Sequence, residues 1–272
     1  MKQLLLLVAL SGALLAQTLE GTWQGTGPLP EGTKIEFEVA SIKPSPEGQP
    51  GNGGFNVTAT ELLSRNTSLA DIITFAFEIH VTQLSGLPGW AKTERYDIAA
   101  RLPQGGEPSD AQLRIMLKNL LQSRFGLSFH TEKREISVYA ISIGKNGPAG
   151  IKMVKNTTNG IRIGSQGLGR VTLSGATMAN FAIQLQLRVL DRPVIDQTGL
   201  TDRYDFTLNW RPDEFQFPRA TAALRAAAVS TGADTLPDLF TAFQEQLGLK
   251  LNTTKAPADM LVIDNVSKLS EN

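Results

Sequence analysis

The feature that most constrains this chain is that it repeats itself. Ser68-Leu-Ala-Asp-Ile-Ile precedes Arg95-Tyr96-Asp97-Ile, and Thr177-Met-Ala-Asn-Phe-Ala precedes Arg203-Tyr204-Asp205-Phe. Leu69 to Tyr96 is 27 residues and Met178 to Tyr204 is 26. Further on, Gln122, Gly126, Leu127, Thr131, Lys133 and Ile141 match Gln244, Gly248, Leu249, Thr253, Lys255 and Ile263 at an offset of 122. The offset between Arg95 and Arg203 is 108, so the second copy carries 14 additional residues between Asp205 and Gln244. Arg211 to Asp234, rich in Pro, Ala and Thr, is where they are expected, as a mobile excursion with one weak helix near 219–229.

Each copy carries the same pattern. A strand leads into a short helix at 68–78 and again at 177–190, and strands end in the Arg-Tyr-Asp segments at 94–101 and 202–210. A second helix follows at 109–125 and at 236–247. Leu113, Met116, Leu117, Leu120, Leu121 and Phe125 form one apolar stripe; Leu236, Leu239, Phe240, Phe243 and Leu247 form its counterpart. Ser109 with Gln112 reads as a capping box. Ser68 with Asp71 and Thr235 with Asp238 read as acidic variants, the last placing Pro237 in the first turn. Gly126 and Gly248 stand where a helix end needs a left-handed residue. Two strands close each copy, at 127–133 with 136–144 and at 249–254 with 259–265, the second pair joined by a hairpin loop at Ala256-Pro257-Ala258-Asp259. The expected fold is therefore α+β: two related repeats at 35–144 and 169–272, each with two helices and a mainly antiparallel sheet, joined by a Gly-rich linker at 145–168.

The N-terminus gives a location. Lys2 precedes an apolar run from Leu4 to Leu15, the layout of a secretory signal over 1–16. The run is too short for the roughly 20 residues that span a bilayer. A loose leader at 17–34 follows, and no later segment is apolar enough to cross a membrane. The expectation is an exported chain, periplasmic or extracellular. It has no cysteine, so it has no disulfide, thiolate metal site or cysteine nucleophile. Removing Lys2 with the signal leaves 25 basic against 26 acidic side chains, a balance that argues against a broad nucleic-acid footprint.

Several blocks carry a family resemblance. Phe37-Glu-Val-Ala-Ser-Ile-Lys-Pro44, Gly86-Leu-Pro-Gly-Trp90, Leu120-Leu-Gln-Ser-Arg-Phe125 and the run from Arg192 through Phe206 are similar to a family of secreted, uncharacterised, soil-associated proteins abundant in acidobacteria. Phe243-Gln-Glu-Gln-Leu-Gly-Leu249 and the closing Ser270-Glu-Asn272 resemble it too, so the likeness covers about 35–272. The resemblance implies no activity, substrate or catalytic residue. It does imply envelope signalling, since related domains are joined in some chains to membrane-bound metallopeptidase-type sensors. Gly21-Thr-Trp-Gln-Gly25 resembles the remnant of an additional N-terminal module, and the repeats resemble the small βαβ modules of secretins and outer-membrane receptors.

Chemistry-bearing patterns are sparse. His80 and His130 are the two histidines and lie in different elements, short of the three or four ligands a zinc site uses. No Gly-x-Ser-x-Gly elbow occurs, and Gly167-Leu-Gly169-Arg170 leads into a strand pattern rather than the helix a phosphate loop opens. Asp191, Asp196, Asp202 and Asp205 are rich in carboxylate, but Asp97 and Asp205 sit at equivalent places beside Arg95 and Arg203, which points to structural pairs. No catalytic residue, metal ligand or cofactor is assigned. Trp90, Arg95 and Arg203 are the ligand-binding candidates: a loop aromatic suited to touch a partner, and two cations suited to line an anion-attracting surface; a groove is expected in the seam between the repeats, with 84–92 and 211–234 at its rim. The reading is a non-enzymatic binding, interaction or envelope-sensing module whose partner is an envelope protein or a small ligand. The alternative is an envelope hydrolase acting on peptide or glycan, with His130 or the 191–205 carboxylates in a deep pocket.

Overall fold

Lys133-Arg134-Glu135-Ile136 contains no residue suited to a tight turn, and the chain runs straight through it as one strand, β6 (Ser128–Ile143). Its partner β12 (Leu249–Asn265) is equally continuous. The two pair antiparallel along nearly their whole length, with Glu135 opposite Pro257. This corrects the expectation of two local strand pairs, and the Ala256–Asp259 hairpin does not form. Proline is tolerated there for a physical reason. The Gly144 N–H donates to the Gly248 carbonyl, so even-numbered residues of β12 bond across to β6 and Pro257 faces the open side, where a missing N–H costs no ladder bond.

In this computed structural model, residues 34–49, 54–104, 108–158, 161–165, 167–218, 220 and 235–269 are described. The 1–16 signal, the 17–33 part of the leader, most of the 211–234 excursion with its helix near 219–229, and Ser270-Glu-Asn272 lie outside them.

Among the described residues, three four-stranded sheets result. One outer sheet has the order β1-β5-β3-β2, from β1 (Val39–Pro44), β2 (Phe55–Val57), β3 (Glu61–Ser68) and β5 (Arg95–Arg101). The other has the order β7-β11-β9-β8, from β7 (Val154–Asn156), β8 (Arg162–Ser165), β9 (Arg170–Ala176) and β11 (Arg203–Asn209). The 145–168 stretch, expected as a linker, thus supplies two strands. Between them lies the central sheet β10-β6-β12-β4, with β4 (Leu84–Ser85) and β10 (Val194–Asp196) parallel to their neighbours. The molecule is α+β.

Helices cover one face of each outer sheet. Helix α1 (Leu69–Phe77) starts on a Ser68–Asp71 capping box, α3 (Asp110–Phe125) on Ser109–Gln112, and α4 (Met178–Gln184) on Thr177–Asn180. A short α2 (Trp90–Thr93) precedes β5. Helix α5 (Leu239–Ala242) begins later than the sequence implies. Its cap is Asp238, which accepts from the Thr241 N–H at 2.9 Å, so Pro237 precedes the helix. Both α4 and α5 end in a widened π-type turn, at Leu185–Val189 and Phe243–Leu247.

Two apolar cores form. The first gathers Leu62, Ile73, Ile98, Leu117 and Phe125, with Tyr96 edge-on to Phe125. The second gathers Leu173, Phe181, Leu208, Trp210 and Phe243, with Phe181 stacked on Phe243. The long strands serve both. Leu261 and Ile263 of β12 enter the first core, while Ile141 of β6 enters the second with Leu249 and Leu251. The boundary expected between 35–144 and 169–272 is therefore crossed by strand halves reaching into the opposite core.

Gly126 and Gly248 both end their helices in the left-handed region, at φ 58° and 72°. Their surroundings differ. A Cβ on Gly248 would lie 1.9 Å from the Gly150 carbonyl oxygen, whereas the nearest atom to one on Gly126 is a side-chain nitrogen of Asn265 at 3.7 Å. Gly126→Ala should cost about 1–2 kcal/mol of stability, the left-handed penalty alone. Gly248→Ala should cost clearly more in chemical denaturation, and equal losses would contradict the packing described.

Candidate functional site

The three ligand-binding candidates do not converge. Arg95 and Arg203 open the central strands of different outer sheets. Arg95 reaches the Asp71 carboxylate at 3.3 Å, and Arg203 donates to the Gly175 carbonyl at 2.8 Å. Each thus braces the entry to the helix that follows the neighbouring strand. Trp90 starts α2 half-buried against the first core, with the Lys268 ammonium 5.6 Å from its ring centre. Lys268 also pairs with Glu94, and the Ser267 N–H donates to the Phe125 carbonyl. The tryptophan therefore helps hold the segment after β12 against the first half.

Asp97 and Asp205 repeat one construction. Just before the capping residues of α1 and α4, Asn66 and Gly175 take left-handed backbone angles, φ 52° and 66°. Asp97 accepts the Asn66 N–H at 2.9 Å and the Ser45 hydroxyl at 2.6 Å. Asp205 accepts the Gly175 N–H at 2.8 Å and the Asn156 side-chain amide at 2.6 Å. The hydroxyl of Ser45 and then the Asn66 N–H hold the Asp97 carboxyl below the usual range; Asn156 and then Gly175 do so for Asp205. Both pin the irregularity that turns a strand into a helix.

The remaining carboxylates expected in a hydrolase pocket are held locally. Asp191 pairs with the adjacent Arg192 at 2.7 Å, Asp196 accepts from the Thr198 N–H at 2.9 Å, and Asp202 pairs with Lys155 at 2.5 Å. His130 lies on β6 opposite Val262, its ring nitrogens 2.7 Å from Asp264 and 3.2 Å from Glu132. Glu132 and then Asp264 raise its pKa. The side chain is about half exposed, and Lys133 and Arg134 beside it already pair with Asp259 and Glu132. His80 is buried and caps a short turn by accepting from the Thr82 N–H. Among the described residues, no group of three or more His, Cys, Asp or Glu is placed to hold a metal. Gly167 and Gly169 form a turn into β9, as the sequence indicates.

The seam expected to hold a groove is filled by the central sheet. Among the described residues a concavity lies elsewhere, between the start of β1 and the side of α3, with a volume of about 400 Å³. Phe37, Met116 and Leu120 line it with Asn119, Ser123 and Arg124, and Glu36 and Glu38 stand at its rim. Arg124 donates to the Ala40 carbonyl and Asn119 to that of Ile35, which ties the helix flank to the segment opposite. The sequence carries a signal for this place: Pro44 inside the alternating Phe37–Pro44 run marks an edge strand.

Residues 70–266 match the family described as "Protein of unknown function (DUF3738)", and the chain belongs to that family. No curated protein and no solved structure matches the chain.

Because both carboxyls are held low, their contribution to stability is full above the unfolded value of about 4 and fades as pH falls through the lower folded value. Asp97→Ala should lower Tm near neutral pH, and the gap to the parent should narrow as pH falls below the unfolded value of about 4. A gap independent of pH in thermal melts would contradict the pinning role.

Proposed function

We propose that this protein is exported and works in the cell envelope as a non-enzymatic binding or sensing module. Its partner, an envelope protein or a small ligand, is taken up in the cleft between β1 and α3. The observation that carries this reading is the cleft itself, an open concavity with an apolar floor and a polar rim. The signal-like N-terminus supports export. The local engagement of Asp191, Asp196, Asp202 and Asp205 weighs against the hydrolase alternative, because acid–base work needs such groups converging on one substrate. Trp90 supports binding indirectly, by fixing the segment after β12.

Photo-crosslinking in cells expressing the tagged chain tests this. A crosslinker at Ser123, in the cleft, should give a discrete adduct in the exported fraction. The same group at Thr172, on the outer face of β9, should give none. Retention of the chain in the cytoplasm, or identical adducts from both positions, would contradict the reading. Trp90→Ala should lower stability by about 2 kcal/mol, less than a fully buried tryptophan, measured by chemical denaturation.

A further inference from the structure

Helix α3 and the π-type turn after α5 both end on a left-handed glycine, Gly126 and Gly248. Set side by side from those glycines, Ser123 and Arg124 stand where the second half has Glu245 and Gln246. In the second half the segment leading into β7 covers this flank. Gly150 presses on Gly248, the Lys152 backbone N–H donates to the Leu247 carbonyl, and its ammonium donates to the Glu245 carbonyl. The Gln246 amide spends both ends on the Asn209 backbone, at 2.9 and 2.6 Å. In the first half the chain leading into β1 is tied to α3 at two points, Ile35 to Asn119 and Ala40 to Arg124. The cleft lies between those ties. Where the covered flank has a carboxylate and a committed amide, the open one has a hydroxyl and a cation.

The charge of Arg124 is not spent within the described residues. One guanidinium N–H goes to the Ala40 carbonyl at 3.1 Å, and no carboxylate among them pairs with the group. The acidic rim is engaged elsewhere: Glu36 pairs with Lys34 at 2.7 Å, and Glu38 accepts the Gln104 N–H at 3.0 Å. The tie to Ala40 also fixes the guanidinium beside a floor of Phe37, Met116 and Leu120, the last two buried.

We infer that the cleft takes a small amphiphile with one carboxylate and an apolar chain. The carboxylate sits on Arg124 and the chain lies along Phe37, Met116 and Leu120. The inference rests on the binding reading above and names the ligand's chemistry. A guanidinium with N–H groups to spare matches a carboxylate in both charge and geometry. Arg124 is the sole Lys or Arg among the described lining residues, which favours a single negative charge over a phosphate. The volume of about 400 Å³ is at the low end of the roughly 300–1,000 Å³ of small-ligand pockets, which suits a chain of medium length.

The full chain, labelled at its methionine methyl groups, is titrated with octanoate and separately with octanol while NMR follows Met116. Expected is a saturable shift with octanoate, at least about tenfold tighter than with octanol, the difference a charge-assisted hydrogen bond makes. Arg124→Gln gives the open flank the side chain of the covered one and should abolish that preference. If the variant unfolds, the comparison of octanoate with octanol on the parent chain carries the same test. The inference is overturned by no saturable shift at millimolar octanoate, by octanol binding as tightly, or by a folded Arg124→Gln chain that keeps the preference. A peptide ending in a free valine carboxylate that binds more tightly than octanoate also overturns it, in favour of a protein tail. Should octanoate fail while the crosslink from Ser123 persists, the ligand class is wrong and the binding reading stands.

Discussion

The pairing of β6 with β12 is the constraint on which the rest of the molecule depends. Each strand is long enough to leave one core, cross an exposed middle ribbon and enter the other core. The ladder between them joins the two halves by backbone hydrogen bonds. The register has a particular centre. The sequence offset of 122 that matches Gln122–Ile141 to Gln244–Ile263 carries Glu135 onto Pro257, and these two residues face each other. It also carries Tyr139 onto Leu261, and the edge strands β10 and β4 dock in parallel at those two places. This is the register that two copies of one unit would adopt on meeting across a two-fold axis.

From that arrangement the outer sheets follow. Each hangs on its half of the ribbon through a helix, and each must turn a strand sharply into that helix. The turn is built the same way twice: a left-handed residue two positions before the cap, its N–H held by Asp97 or Asp205. Charged groups that look chemically inviting in the sequence are thereby committed to backbone geometry. The functional proposal rests instead on the cleft beside α3, on the first half.

The helices were legible because capping residues and apolar stripes are local signals: Ser68, Ser109 and Gly126 act as their types demand. The strand pairing was not, because a continuous strand and a hairpin share the same alternation. Only the lack of turn-forming residues at Lys133–Ile136 distinguishes them, while Pro257 points misleadingly towards a loop. The onset of α5 was misplaced because Thr235 and Asp238 are both good caps, and Pro237 fits either choice. Of the proposed binding place, only Pro44 was visible. A cleft depends on how far α3 stands from β1, a distance between elements remote in sequence. Arg95 and Arg203 show the same dependence: a basic side chain in a recurring motif serves a ligand, a carboxylate or a carbonyl equally well until its neighbours are known.

The central claim is that β6 and β12 run unbroken and face one another about Glu135 and Pro257. Pairs such as Lys133–Asp259 and Ser137–Lys255 exchange no backbone hydrogen bond, so their α-carbons approach to about 4.5 Å. NMR on the labelled chain should show strong cross-strand contacts between the α-protons of these pairs. Contacts instead within residues 127–144, joining 127–133 to 136–144, would mean two local hairpins and would contradict the account.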